Sequence, residues 1–296
     1  MPRQLLLHPA TPILAVVLGI ATFSAMDAMM KGAAIAIGAY SAVLLRNLVG
    51  AILALPLWRL ARRRPVRGEV LRIHLLRAAV VAAMAPMFFY GLVRIPLAEG
   101  IALSFIAPLI ALYLASALLG EKVRRTAVVA TLLGLAGVLV IAAGRMGRGT
   151  WSHETAMGTF AVLASAVFYA INLVLQRRQA QIAGPIEIAF FQNLLVGVLL
   201  LPAAPWLLQW PGQPEVWFVV AGAVLATAAL LFLSWGYARA EAQVLLPVEY
   251  TGFLWAALFG WALFGEQVSW SSLTGAALIV TGCMLAARRH TELTAA

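Results

Sequence analysis

Between residues 13 and 287 the chain returns repeatedly to uninterrupted apolar runs of about twenty residues. Ten can be marked, at 13–31, 39–57, 73–92, 98–118, 127–143, 155–175, 185–204, 216–236, 243–263 and 272–287. A hydrocarbon layer about 30 Å thick takes about 20 helical residues to cross. Lipid offers no water to backbone N–H and C=O groups, so only self-satisfied helices or closed barrels span it. Barrel strands alternate apolar and polar positions over about ten residues, and these runs do not. The chain therefore reads as an all-α polytopic membrane protein with ten transmembrane helices. Composition agrees, with 63% hydrophobic and 11% charged residues, against about 45–50% and about 25% in a soluble domain. A soluble enzyme is excluded, and so is a secreted scaffold, because Cys283 is the single cysteine.

The net charge of +10 sits mostly in short arginine clusters between the runs. That pattern orients a membrane protein rather than marking a nucleic-acid binder. With the N-terminus placed inside, sixteen basic residues fall in cytoplasmic loops and four in external ones, which puts both termini in the cytoplasm. Arg3 ahead of the first run imitates a secretory signal, but the run is long for one. Nineteen of the 21 basic residues are arginine, a codon bias that suits a GC-rich bacterium and hence a bacterial inner membrane.

The two halves repeat. LLGEKVRRTAVVATLLGLAGVLVIAA from Leu118 parallels LFGEQVSWSSLTGAALIVTGCMLAA from Leu263, with Gly120-Glu121 matching Gly265-Glu266 at an offset of 145. Gly91 after Tyr90 matches Gly236 after Trp235, and Arg46-Asn47 matches Gln192-Asn193 one residue out of step. This defines two five-helix units, residues 13–143 and 155–287. Five is odd, so the second unit enters the membrane from the opposite side. Inverted repeats of this kind are an architecture of secondary transporters.

The Gly-Glu turns, the Gly-rich last helices and RIPLAEGIALSFIAPL from Arg94 to Leu109 resemble the EamA family of the drug/metabolite transporter superfamily. Within it the chain looks most like bacterial YddG-type aromatic amino acid exporters. The resemblance implies a central cavity lined mainly by helices 1, 3, 4, 6, 8 and 9, and export of small metabolites. The second repeat departs where Phe253 stands in place of the proline at Pro108.

A charged group in hydrocarbon costs at least about 2.5–3.5 kcal/mol on insertion scales, so intramembrane polar residues need a reason. Ser24, Asp27 and Lys31 form one stripe on helix 1; Ser165, Tyr169, Asn172 and Gln176 form the matching stripe on helix 6. Inversion places them at opposite mouths of one pathway, as gates. The alternative is an Asp27–Lys31 i,i+4 ion pair that anchors a helix end. Tyr90 and Trp235 are related aromatic positions, either gates or interfacial anchors. Glu249 and Tyr250 sit a turn or two inside helix 9 after Pro247 and are read as cavity-lining. Ser104 and Phe105 occupy about the same depth in helix 4, with ordinary helix packing as the alternative. Arg46 reads as structural, Glu99 as structural, and Glu121 and Glu266 as caps of helices 5 and 10. Ala130 with Gly134, and Ser271 with Gly275, are spaced for close helix packing.

No metal, hydrolytic or nucleotide-binding motif is present: GRMGRGT from Gly144 lacks the Gly-Lys-Ser/Thr ending. No cofactor, metal or catalytic residue is expected. The expectation is a secondary transporter that exports small amphipathic metabolites, aromatic and other neutral amino acids first, by alternating access. A channel or lipid flippase is the alternative, and a membrane-embedded enzyme a more distant one. The expected partners are the small-molecule substrate and membrane lipids, with no nucleic acid. Protons, carried by Asp27 or Glu249, are a candidate coupling ion.

Overall fold

The computed structural model describes residues 10–61, 66, 68–107, 109–111, 113, 125–147, 152–237 and 250–291. Among them every regular element is helical. The first two predicted spans form one element, α1 (Ala10–Ala61), interrupted at Gly38, whose φ of 77° and ψ of 151° lie outside the helical region. A glycine alone enters that backbone region without a Cβ penalty. Arg46 Nη1 lies 3.8 Å from Met26 Sδ. On a straight helix these residues would be about 30 Å apart, so the two limbs fold back on each other as a hairpin. The sequence placed a loop of seven residues here; one glycine suffices.

α2 (Glu69–Arg94) follows, then α3 (Leu97–Ser104), which stops at a turn formed by Phe105 and Ile106. The fourth predicted span, 98–118, is thus broken eight residues in. Next come α4 (Arg125–Gly147), α5 (His153–Ile182) and α6 (Pro185–Leu200). A 3-10 turn at Leu201–Ala203 leads into the short α7 (Ala204–Leu207). The chain ends with α8 (Gln213–Tyr237), α9 (Gly252–Phe264) and α10 (Trp270–Thr291). Among the described residues five helical stretches are long and apolar enough to cross a membrane, the first being the hairpin α1 itself; the apolar stretches at 97–111, 132–144 and 252–264 are shorter.

The helices are apolar on their outward faces as well as inside. On α4, Leu132, Leu135 and Leu139 are exposed while Gly134, Gly137 and Val138 are buried, a division that needs lipid as the outer solvent. The main pairings are α1 with α8, α2 with α5, and α4 with α10; α1 also meets α6 and α9, and α3 lies against α9 and α5. At the α4–α10 crossing the backbones touch. A Cβ on Gly137 would stand 2.5 Å from the Gly275 carbonyl oxygen, and one on Gly275 would stand 2.6 Å from that of Gly137. Ser271 fits beside Gly144 one turn away. The expected packing role of Ser271 and Gly275 is met, with Gly137 and Gly144 as the partners; the side chain of Ala130 lies outside the described residues.

Candidate functional site

Three polar or broken regions line up along the helices. The first is built on Lys31, buried at 3% exposure near the end of the first α1 limb. Its ammonium donates to the Glu266 carboxylate and to the Ile95 carbonyl at 2.8 Å, and it lies 5.4 Å from the centroid of the Phe264 ring. Glu266 is brought there by local chain geometry. Gly265 is left-handed (φ 64°), its N–H donates to Trp261 O, and the Glu266 N–H donates to Gly260 O. This is an αL termination of α9, with the 5→1 bond from Gly265 to Trp261, and it folds the Glu266 side chain back over the helix end. The other Glu266 oxygen accepts from the Leu97 N–H at 2.7 Å, one of the unsatisfied donors at the start of α3. Glu266 therefore caps α3, not the helix that follows it; α10 is capped by Ser269 Oγ, which accepts from the Ser272 N–H at 3.1 Å. Glu99 accepts from Ser272 Oγ at 2.6 Å and ties α3 to α10.

Lys31 is thus not the partner of Asp27. Asp27 is buried on the adjoining turn, and Arg46 on the facing limb donates to Asn47 Oδ1 at 3.4 Å. Tyr90 stands at the same end: the Arg94 guanidinium covers its ring at 3.6 Å and is bound to Glu154 at 2.6 Å.

The second region is the break itself. Phe105, at the end of α3, meets Tyr250, just before α9, edge to face with centroids 5.2 Å apart. Eight residues separate Leu97 from Phe105, about 12 Å of helix, so the contact lies about that far along the fold from the Lys31–Glu266 pair. Two further side chains flank it symmetrically. Ser24 Oγ lies 3.5 Å from the Gly252 carbonyl, and Tyr169 packs beside Ile106 and Ala107. Ser24 and Tyr169, Phe105 and Tyr250, and Ala107 and Gly252 are each 145 residues apart. Ser104 instead turns back to bond Gly100 O at 2.9 Å, satisfied within its own helix. Glu249 lies outside the described residues. Trp235 is partly buried two residues before the end of α8.

The third region surrounds Arg77, about 25 Å along α2 from Arg94. Its Nε donates to Asn172 Oδ1 at 2.9 Å, Nη1 to Gln179 Oε1 at 2.5 Å and Nη2 to Gln176 Oε1 at 3.3 Å. The Gln179 amide nitrogen is 2.6 Å from His74 Nδ1, and His74 Nε2 is 3.3 Å from Glu187. Asn172 and Gln176 were legible as a stripe; Arg77, His74 and Gln179 were not singled out. By sequence Arg77 is one of the sixteen basic residues assigned to the cytoplasmic side. Its position five residues into an apolar run was the available signal, because a cation there requires partners.

Long apolar helices around a helix break, with polar clusters toward either end, define a multi-pass membrane protein of the transporter class. The chain belongs to the EamA-like transporter family, which it matches over residues 10–143 and again over 156–288. It is 27% identical to the pseudopaline exporter of Pseudomonas aeruginosa, over 93% of this chain and 95% of that protein. It is 26% identical to the aromatic amino acid exporter YddG of Ancylobacter novellus, over 67% of this chain and 70% of that one. A solved crystal structure with 22% identity superposes with a TM-score of 0.64 over 96% of this chain and 99% of its own, which shows a shared fold.

Proposed function

We propose that the protein exports small amphipathic metabolites, aromatic and other neutral amino acids first among them, across a bacterial inner membrane by alternating access. In this reading the chain crosses ten times as two inverted five-helix repeats, 13–143 and 155–287, with both termini in the cytoplasm. The observation that carries it is the meeting of Phe105, at the break after α3, with Tyr250, at the start of α9, between the Lys31–Glu266 pair and the Arg77 cluster. Discontinuous helices at the midplane are where secondary transporters hold substrate. The reciprocal pairing of α1 with α8 and α2 with α5 supports the inversion, since a two-fold axis relating the repeats exchanges those pairs. Aromatic rings and hydroxyls from Phe105, Tyr250, Tyr169 and Ser24 suit an amphipathic ligand, and one named relative exports aromatic amino acids. The Lys31 cluster then closes the external mouth, and Asn172 and Gln176 belong to the cytoplasmic one.

The test is radiolabelled L-phenylalanine in proteoliposomes. Saturable uptake with accelerated counterflow is expected. A continuous conductance would make the protein a channel, and a chemically altered product would make it an enzyme. An imposed pH gradient that drives accumulation would assign the coupling ion to protons; equilibration alone would make the protein a facilitator.

A further inference from the structure

Arg77 is 8% exposed, yet among the described residues its three hydrogen-bond partners, Asn172, Gln176 and Gln179, are all neutral amides. A buried guanidinium ordinarily takes a carboxylate, because hydrogen bonds alone leave its charge uncompensated. Among the described residues no carboxylate is bonded to the guanidinium, and the ionisable side chain acting on it is the neutral phenol of Tyr169. Arginine has only donors, so the Gln179 oxygen must face it and the Gln179 nitrogen must face His74. His74 Nδ1 is then an acceptor and its Nε2–H points to Glu187. Glu187 is therefore engaged with His74, one residue removed from the guanidinium.

Arg77 has five N–H groups, of which three are used, leaving one on each terminal nitrogen. The longest of the three bonds, 3.3 Å to Gln176 Oε1, involves the one amide of the set whose residue is exposed. A ligand can displace Gln176 into solvent at little loss, whereas Asn172 and Gln179 are buried and held. We infer that Arg77 is a carboxylate-recognition site, occupied in the resting protein by Gln176 as an amide stand-in, which receives the carboxylate of an amphipathic acid entering from this end. The inference rests on the export reading for the direction of entry and extends it by requiring a carboxylate on the substrate.

The probes are 3-phenylpropionate and its uncharged isostere 3-phenylpropanamide, titrated into the full chain in phosphatidylcholine nanodiscs. The wild type is expected to bind the carboxylate at least tenfold more tightly than the amide. Arg77→Gln should bring the two within about twofold of each other, and Gln176→Ala should tighten the carboxylate severalfold while leaving the amide unchanged. No preference in the wild type, or a preference that survives Arg77→Gln, overturns the proposal. If Arg77→Gln does not fold, Gln176→Ala decides: unchanged carboxylate affinity overturns the proposal. Loss of carboxylate binding when phosphatidylglycerol is added assigns Arg77 to a lipid headgroup and also overturns it. L-phenylalanine counterflow is measured alongside. Its absence together with an Arg77-dependent preference supports the site and removes the amino-acid reading, whereas counterflow without such a preference does the reverse.

Discussion

Phe105 and Tyr250 stand 145 residues apart in the chain, yet their rings meet at 5.2 Å and 88°, one at the end of α3 and the other at the entry to α9. Edge-to-face pairs contribute about 0.5–1.5 kcal/mol beyond the area they bury. A double-mutant cycle of Phe105→Leu and Tyr250→Leu, read by thermal unfolding in detergent, is expected to give a coupling energy in that range. Each single variant should also weaken substrate binding in the transport assay. Additive effects on stability with unchanged transport would mean that the rings touch without forming a site.

The Lys31–Glu266 pair makes a prediction that an ordinary ion pair would not. Removing one member of a buried pair costs about 3–5 kcal/mol, so Lys31→Met should be strongly destabilising. Charge reversal, Lys31→Glu with Glu266→Lys, should fail to restore stability, because residue 266 must also accept from the Leu97 N–H and a lysine has no acceptor. Recovery in the reversed variant, measured as thermal midpoint, would reduce the cluster to a simple charge pair.

At the α4–α10 crossing, Gly137→Val places a side chain where the Gly275 carbonyl oxygen stands 2.5 Å away. Overpacking of this kind costs about 1–3 kcal/mol. Leu139, 59% exposed on the same helix, offers the control. Leu139→Val should change stability by less than about 0.5 kcal/mol. Equal midpoints for the two variants would show that the helices separate at no cost.

Orientation is tested with single cysteines in a background lacking Cys283. Gln267, exposed beside the Lys31 cluster, should as cysteine react with an impermeant maleimide from outside intact cells. A cysteine at Arg59, at the far end of α1, should react only after the membrane is opened. The opposite labelling would reverse the topology and, with it, the direction of export assigned to the Arg77 end.

Much of this molecule was legible locally. Apolar runs, the Gly265-Glu266 turn and the Ser24–Asp27–Lys31 and Tyr169–Asn172–Gln176 stripes are properties of residues within one or two helical turns. The break at Phe105 was less legible, because the apolar run at 98–118 continues past it without a charged residue and reads as one span rather than a stop after eight residues. Glu266 was read as the cap of the helix that follows it, since sequence distance favours α10. The left-handed turn at Gly265 instead carries its carboxylate across to α3.

By itself the sequence determined the solvent this chain folds in, the helices that solvent demands and the spacing of polar groups along each helix. These follow from hydropathy and a 3.6-residue period, which need no knowledge of neighbours. Partnership was decided only in three dimensions. Lys31 is joined to Glu266 across 235 residues and Arg77 to Asn172 across 95. In a medium without water a polar group must find its partner in whichever helix packs against it. Small-residue spacing marks a face that can be approached closely, but only contacts such as Gly137 on Gly275 decide which helices meet.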